Sequence, residues 1–385
     1  MSLKNHSKPE APKGWEKSIT WDGTKGEIST GPLADEPTDD LWNEIVKDFG
    51  IGDNLRIIPG SIQIRAWDSY AGRMKYYRAR LEPSTANEES RVDVDELCTI
   101  IERRRPLVRG DDSHQGGDRA LVVCLADWQI GKGEGGGTPA FVERLLETFD
   151  RLEAHAKGLY KQGISQVYIV GLGDVIEGCS GFYAMQEWQT DLDRREQMKL
   201  ARRMILDLVE RFIKLKYRIV LGAVPGNHGE NRKNGKAFTT WTDNDDLAVF
   251  EQVAEILSHN AERYAEVSVP SGAIADDLTM TLDICGVDVG FAHGHQARAG
   301  QLANWWLRQA HGKQPIGHAD ILVTGHYHHL VCSESSGRTW LQCPAMDGGS
   351  KWFTNTTGAS APPGMLTFVA GQGCGDRGWE RLEIL

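Results

Sequence analysis

The stretch Leu121-Val-Val-Cys-Leu-Ala-Asp127-Trp128-Gln129 decides the fold. Its apolar run shows no alternation, as expected of a strand buried on both faces of a parallel sheet. It stops abruptly at Asp127, and open α/β sheets place ligands at such strand ends. The pattern then recurs. Residues 167–172 read as a second buried strand, followed by Gly173-Asp174-Val175-Ile176-Glu177. Residues 218–224 read as a third, followed by Gly226-Asn227-His228-Gly229. Thr138-Pro139 opens a helix, with Pro at the first helical position, and Phe141, Leu145, Phe149 and Leu152 follow at three-to-four spacing. Residues 193–215 form a long amphipathic helix, and another spans about 243–257.

Further along, a hairpin around Gly286 ends in His293-Gly294-His295. A helix over 296–310 and a short strand over 321–324 lead into Gly325-His326-Tyr327-His328-His329. Four strands, near 330–334, 338–342, 366–369 and 379–384, complete an α/β domain expected over 119–385. Upstream, residues 1–39 are polar and without a sustained apolar period, and are expected to be a flexible tail. A small α+β module is expected over 40–110. It holds a helix over 41–49 capped by Asp39 or Asp40, a hairpin of residues 61–67 and 74–81, and a helix over 94–104. Residues 111–118 read as a linker. Residues 55–110 net +3 in charge, which suits either a solvated basic face or a nucleic-acid contact.

The chain has 385 residues, with 43 Lys and Arg against 54 Asp and Glu, a net charge of −11 that argues against an indiscriminate nucleic-acid coat. Hydrophobic residues at 40% and charged residues at 25% are globular proportions, which exclude disorder over most of the length. No apolar window is long enough for a membrane helix, and the first thirty residues lack the apolar core of a signal peptide. The 7 cysteines are odd in number and form no CxxC pair, so reduced thiols and a cytoplasmic setting are expected.

Five loops thus present Asp, Asn or His directly after an apolar strand. Carboxylate, amide oxygen and imidazole together are borderline donors, suited to Mn, Fe, Zn or Co rather than calcium. Two such cations can clamp a phosphate and activate water. The ordered set Asp127-x-Gln129, Gly173-Asp174, Gly226-Asn227-His228, His293-Gly294-His295 and Gly325-His326-x-His328 resembles the calcineurin-like metallophosphoesterase superfamily over roughly residues 121–369. Its overall look is most similar to SbcD-type DNA-repair exonucleases, including those carried by bacteriophages, for which the host cytoplasm is the setting. The resemblance implies a sandwich of two mixed β-sheets flanked by helices. It implies a dinuclear centre, most simply of manganese with Mg as a further possibility, and a metal-bridging hydroxide that attacks a phosphodiester of nucleic acid, DNA foremost.

Residue by residue, the resemblance makes Asp127, Gln129 and His328 ligands of a first metal. Asp174 bridges, and Asn227, His293 and His326 hold the second. His228 becomes the acid for the leaving oxygen, a task imidazole suits near neutral pH. Gln129 departs from the pattern, which has His there. It either makes a weaker first site or only orients a metal-bound water. The chain also leaves little length for a C-terminal capping region.

His295 is either a partner that orients a ligand imidazole or a turn residue. Glu177 either binds a metal-bound water or caps a helix. Trp128 either stacks on a base or packs against the sheet end. Lys132, in a glycine-rich loop that lacks the phosphate-loop GK[ST] ending, either meets a substrate phosphate or is solvated. Two other functions keep the same residues: a small-molecule phosphatase or cyclic-nucleotide phosphodiesterase, and a degenerate site serving as a binding protein.

Overall fold

The computed structural model describes residues 16–21, 25–33, 37–49, 55–58, 60–69, 72–83, 93–103, 117–179, 181, 186–233, 235–275, 277–349 and 361–385. They fall into two compact units, Met1–Arg91 and Val92–Leu385. Among the described residues, no helix is long and apolar enough to cross a membrane.

The smaller unit holds β1 (Ser18–Trp21), β2 (Gly26–Leu33), α1 (Asp39–Asp48), β3 (Leu55–Ile57), β4 (Gln63–Ser69) and β5 (Gly72–Pro83). The long β5 pairs antiparallel with β2, β3 and β4, and β1 pairs with β2. Ser18–Trp21 and Gly26–Leu33, expected as part of a flexible tail, are instead two of these strands. Their polar side chains hide the pattern, because one fully buried residue, Ile28, anchors β2. Helix α1 is capped by Thr38, whose hydroxyl accepts from the Leu41 amide, rather than by either aspartate. Trp42, Ile45 and Val46 of α1 pack with Tyr77, Ala79 and Leu81 of β5, which gives this unit its own core.

The larger unit begins with α2 (Val94–Arg103), so the helix grouped by sequence with the N-terminal module lies in the other unit. Its Cys98 packs in the core formed by α3 (Gly137–Tyr160) and α5 (Arg194–Lys214). Residues 104–116, the greater part of the expected linker, lie outside the described residues. One mixed sheet is built from β6 (Ala120–Leu125), β7 (Gln166–Gly171), β8 (Arg218–Ala223), β11 (Val267–Ser268), β17 (Leu366–Ala370) and β18 (Trp379–Ile384). Its order is β11-β8-β7-β6-β17-β18, with β6, β7, β8 and β11 parallel. A second mixed sheet holds β12 (Thr279–Ile284), β13 (Val287–Ala292), β14 (Ile321–Thr324), β15 (Val331–Ser335) and β16 (Arg338–Gln342), in the order β12-β13-β14-β16-β15. Here β13, β14 and β16 are parallel. The remaining elements are the short α4 (Gln186–Gln189), the two-residue strands β9 (Arg232–Lys233) and β10 (Lys236–Ala237), α6 (Asp245–His259) and α7 (Leu302–His311). The helix expected from residue 296 starts only at Leu302.

The alternation of β6 divides the core. Leu121, Val123 and Leu125 face Phe149 and Leu152 of α3 and Met204 and Leu208 of α5. Ala120, Val122 and Cys124 pack with Phe291, Val323 and Leu341 of the second sheet. Each fully buried aromatic or aliphatic side chain here contributes about 1.5–3 kcal/mol. Both faces of β6 are therefore covered, as its unbroken apolar run requires, and its polar successors must emerge at its end.

Candidate metal centre

The five expected loops and one more follow strands that run parallel within their sheets. Asp127 and Gln129 follow β6, Asp174 follows β7, and Asn227 and His228 follow β8. His293 follows β13, His326 and His328 follow β14, and Asp347 comes after β16. The turns are tight. Asp127, Gln129, Asp174, His326 and His328 all have positive φ, between 45° and 69°. Such backbone is costly for non-glycine residues and collects where function demands it. Gly226 lets two loops touch, because a Cβ there would lie 2.2 Å from the Asp174 amide nitrogen. The loop of Asp174 rests on Asp246, fully buried in α6. Its Oδ2 accepts from the amides of Asp174 (2.8 Å) and Gly226 (3.0 Å), and its Oδ1 from that of Val175 (2.9 Å).

One half of the centre gathers around His293. Its Nδ1 faces the Leu172 carbonyl oxygen at 2.7 Å, which places a ring hydrogen there. Its Nε2 meets Asp174 Oδ2 at 2.9 Å, Asn227 Oδ1 at 3.0 Å and His326 Nδ1 at 3.2 Å. With a neutral His293 ring, its Nε2 lone pair faces a carboxylate oxygen, and the two repel unless a positive centre lies between them. A proton serves, and so does a divalent cation. Burial pushes His293 down, but the Asp174 carboxylate outweighs it and holds the ring raised, at about 9. Asp174 is held below the usual carboxylate range: burial opposes this, and His293 and His228 overcome it. Burial and the neighbouring His293 push His326 down to about 4. Donor atoms of Asp174, His293 and His326 lie within 4.8 Å of one another. One carboxylate, one amide oxygen and two imidazoles suit a borderline divalent cation, so these residues fit a metal.

The other half is arranged differently. Asp127 Oδ2 accepts from the His326 amide at 2.9 Å, and its Oδ1 lies 3.2 Å from His328 Nε2. Gln129 does not stand open. Its Oε1 accepts from Lys132 Nζ at 3.0 Å, and its Nε2 lies 3.3 Å from His228 Nε2. Lys132 is itself ion-paired with Asp347, and both side chains are largely buried. Lys132 is thus held by Asp347 and Gln129 and is not a solvated side chain. Asp347 was not singled out from the sequence, although Gly348 and Gly349 after it repeat the strand-end signal of the other loops. Asp246 carries no such signal beyond its place at a helix start.

His228 joins the halves. Its amide donates to Asp174 Oδ1 at 2.8 Å. Its Nδ1 lies 2.9 Å from the Glu177 carbonyl oxygen and 3.3 Å from the Glu177 carboxylate, which leaves Nε2 turned towards Asp174 Oδ2, 4.0 Å away. Burial lowers this imidazole, but Asp174 and Glu177 outweigh it and raise it to about 10. Glu177 therefore orients His228, a role that neither reading from the sequence proposed.

The His326-x-His328 segment is not extended, so strand alternation is not what aims its rings. Left-handed turns at both residues send one ring to each half. Trp128 is fully buried against Phe141 and Phe149, with ring centroids 6.2 and 6.3 Å away, so of its two readings packing is the one seen. His295 lies outside the converging set. Its ring centroid is 5.4 Å from that of His293, and burial with the charge of His293 pushes it down to about 3.

No family profile matches the chain, and no curated relative does. Among solved structures the chain is similar to vacuolar protein sorting 29 from Cryptosporidium parvum, at 18% identity and TM-score 0.33 over 66% of this chain and 87% of that one. It is also similar to an archaeal phosphodiesterase, at 14% identity and TM-score 0.31 over 69% and 99%. A predicted phosphoesterase from Streptococcus pneumoniae matches at 11% identity and TM-score 0.28, over 65% and 83%.

Proposed function

We propose that the chain is a metal-dependent phosphodiesterase of the calcineurin-like sandwich type that hydrolyses nucleic acid, as a DNA exonuclease or endonuclease. The observation that carries this reading is the meeting of Asp174, Asn227 and His326 on one nitrogen of His293. A donor set so placed suits a divalent cation, and the site lies at the strand ends where α/β proteins bind ligands.

A bound divalent cation would polarise a phosphoryl oxygen and lower the pKa of water. The chain's own residues do the rest. Asp174, Asn227, His293 and His326 would hold the cation, and Asp246 keeps the Asp174 loop in register. Glu177 fixes His228 so that Nε2 faces the cluster. There it can give a proton to the departing alkoxide, a poor leaving group when unprotonated. In the metal-free chain Asp174 and Glu177 outweigh burial and hold His228 raised, at about 10.

The test is hydrolysis with Mn of single- and double-stranded DNA, RNA, a bis-aryl phosphodiester and an aryl phosphate. Nucleic-acid cleavage that falls by about 10²–10⁴-fold in His228→Ala is the expected result. Turnover of aryl phosphate alone would move the substrate to small phosphoesters. A folded protein inert towards all of these with Mn, Mg, Zn, Co or Fe would leave a binding function.

A further inference from the structure

The two halves of the centre differ in one respect that the ligand pattern does not convey: among the described residues, a lysine stands only in the half around Asp127. Among the described residues, the ion pairs of Asp174 are with His228 and His293. In the other half the Lys132 ammonium is paired with Asp347 and hydrogen-bonded to Gln129 Oε1 at 3.0 Å. That oxygen is the one atom of Gln129 able to ligate a metal. The amide cannot turn over at low cost, because its NH2 would then face the ammonium. Asp347, whose Oδ1 lies 3.9 Å from His328 Nδ1, is the nearest extra carboxylate, and it too is engaged by Lys132. A divalent cation brought onto Gln129 or Asp347 would therefore stand against a buried positive charge with little water to screen it. Breaking the Lys132–Asp347 pair to make room would strand a buried carboxylate.

We infer that Lys132 takes the electrostatic place of one metal ion, so that the chain firmly binds a single divalent cation, on Asp174, Asn227, His293 and His326. Asp127, Gln129 and His328 then surround a site whose fixed charge is the lysine. This rests on the proposed metal-dependent function and sets its cation count. It also gives Gln129 a defined task. Its carbonyl holds Lys132 and its amide nitrogen meets His228, so Gln129 is a positioning residue and not a ligand.

The experiment counts cations. Metal-stripped wild type, Lys132→Met, Lys132→Arg and Gln129→His are dialysed to equilibrium against graded Mn, and the bound ion is measured by elemental analysis and electron paramagnetic resonance. Wild type and Lys132→Arg should bind one Mn per chain and give an uncoupled spectrum. Lys132→Met should bind a second at least tenfold more tightly than wild type does, with the exchange-coupled spectrum of neighbouring Mn ions. Gln129→His, which adds a nitrogen donor but keeps the ammonium, should gain less. If Lys132→Met fails to fold, Lys132→Gln carries the same expectation. Two firmly bound ions in wild type, or one in both wild type and Lys132→Met, overturns the inference and leaves the metal-dependent reading intact. No bound ion in any form removes both.

Discussion

The halves around Asp174 and around Asp127 are made by the same device and differ in the charged groups set beside it. In each, a buried strand ends in an aspartate held at positive φ, and a histidine from the second sheet reaches across to it. Around Asp174 the partners are neutral donors or histidines, and the charge is left to be met by a proton or a metal. Around Asp127 the carboxylate likewise faces a histidine, His328, but beside them Lys132 is paired with Asp347 and bonded to Gln129. Ligand-type residues at strand ends thus define where cations can gather. The neighbouring lysines decide how many are needed.

The largest expected difference separates His293 from His328. His293→Ala removes the atom on which three other donors meet. Mn binding should be lost and turnover should fall by about 10³-fold or more, since charge stabilisation by the ion is worth several kcal/mol. His328→Ala should cost about 10–100-fold, as for a group that tunes a site without holding the ion. Binding isotherms and steady-state rates for the two variants make the comparison. Equal losses in both would mean that the halves are equivalent.

Support beneath the halves differs as well. The Asp127 loop hangs on backbone bonds, the amides of Gln129 and Ile130 donating to the carbonyls of Asp174 and Val175 at 2.9 and 3.1 Å. Those bonds join it to the Asp174 loop, which rests in addition on one side chain, Asp246. Asp246→Ala leaves buried amides unpaired at about 1–3 kcal/mol each, so stability should drop by roughly 3–5 kcal/mol in urea unfolding. The Asp174 half should loosen first, seen as weaker Mn binding before global unfolding. An unfolding midpoint unchanged in Asp246→Ala would show that water replaces the carboxylate.

How much of this was readable in the sequence follows from distance along the chain. Asp127, Asp174, Asn227, His293 and His326 each mark a change from apolar strand to polar turn, a local signal, and the parallel strands bring them together. The Lys132–Asp347 pair spans 215 residues and the Asp246–Asp174 bond spans 72, so neither leaves a local trace. Lys132 in a glycine-rich loop looked solvated because its partner comes from another sheet. Strands β1 and β2 are hidden for a related reason: their ladder uses backbone groups, and Ile28 is fully buried while Ile19, Trp21 and Leu33 pack only partly against the core. Trp128 was ambiguous because an indole beside two ligands suits stacking and packing equally, until α3 is seen to cover it.

The smallest expected effect distinguishes proton from metal in the Asp174 half. His293 and His228 are raised in the folded protein, to about 9 and about 10, chiefly because Asp174 outweighs their burial. Unfolded histidine titrates near roughly 6.5. A folded value above the unfolded one gives stability that is fully present below that pH and is lost as pH rises through the folded values. Asp174 is depressed, so its share is present above the unfolded carboxylate range and is lost only as pH falls through its folded value. Metal-free protein should therefore lose stability steadily from near neutral pH to about pH 10, followed by thermal unfolding in matched ionic strength. Excess Mn should flatten that decline, because the cation takes the proton's place among the same lone pairs and binds better as protons leave. If the metal-free profile is level from neutral to alkaline pH, no proton is held between Asp174 and His293, and the cluster tolerates its lone pairs by spreading apart.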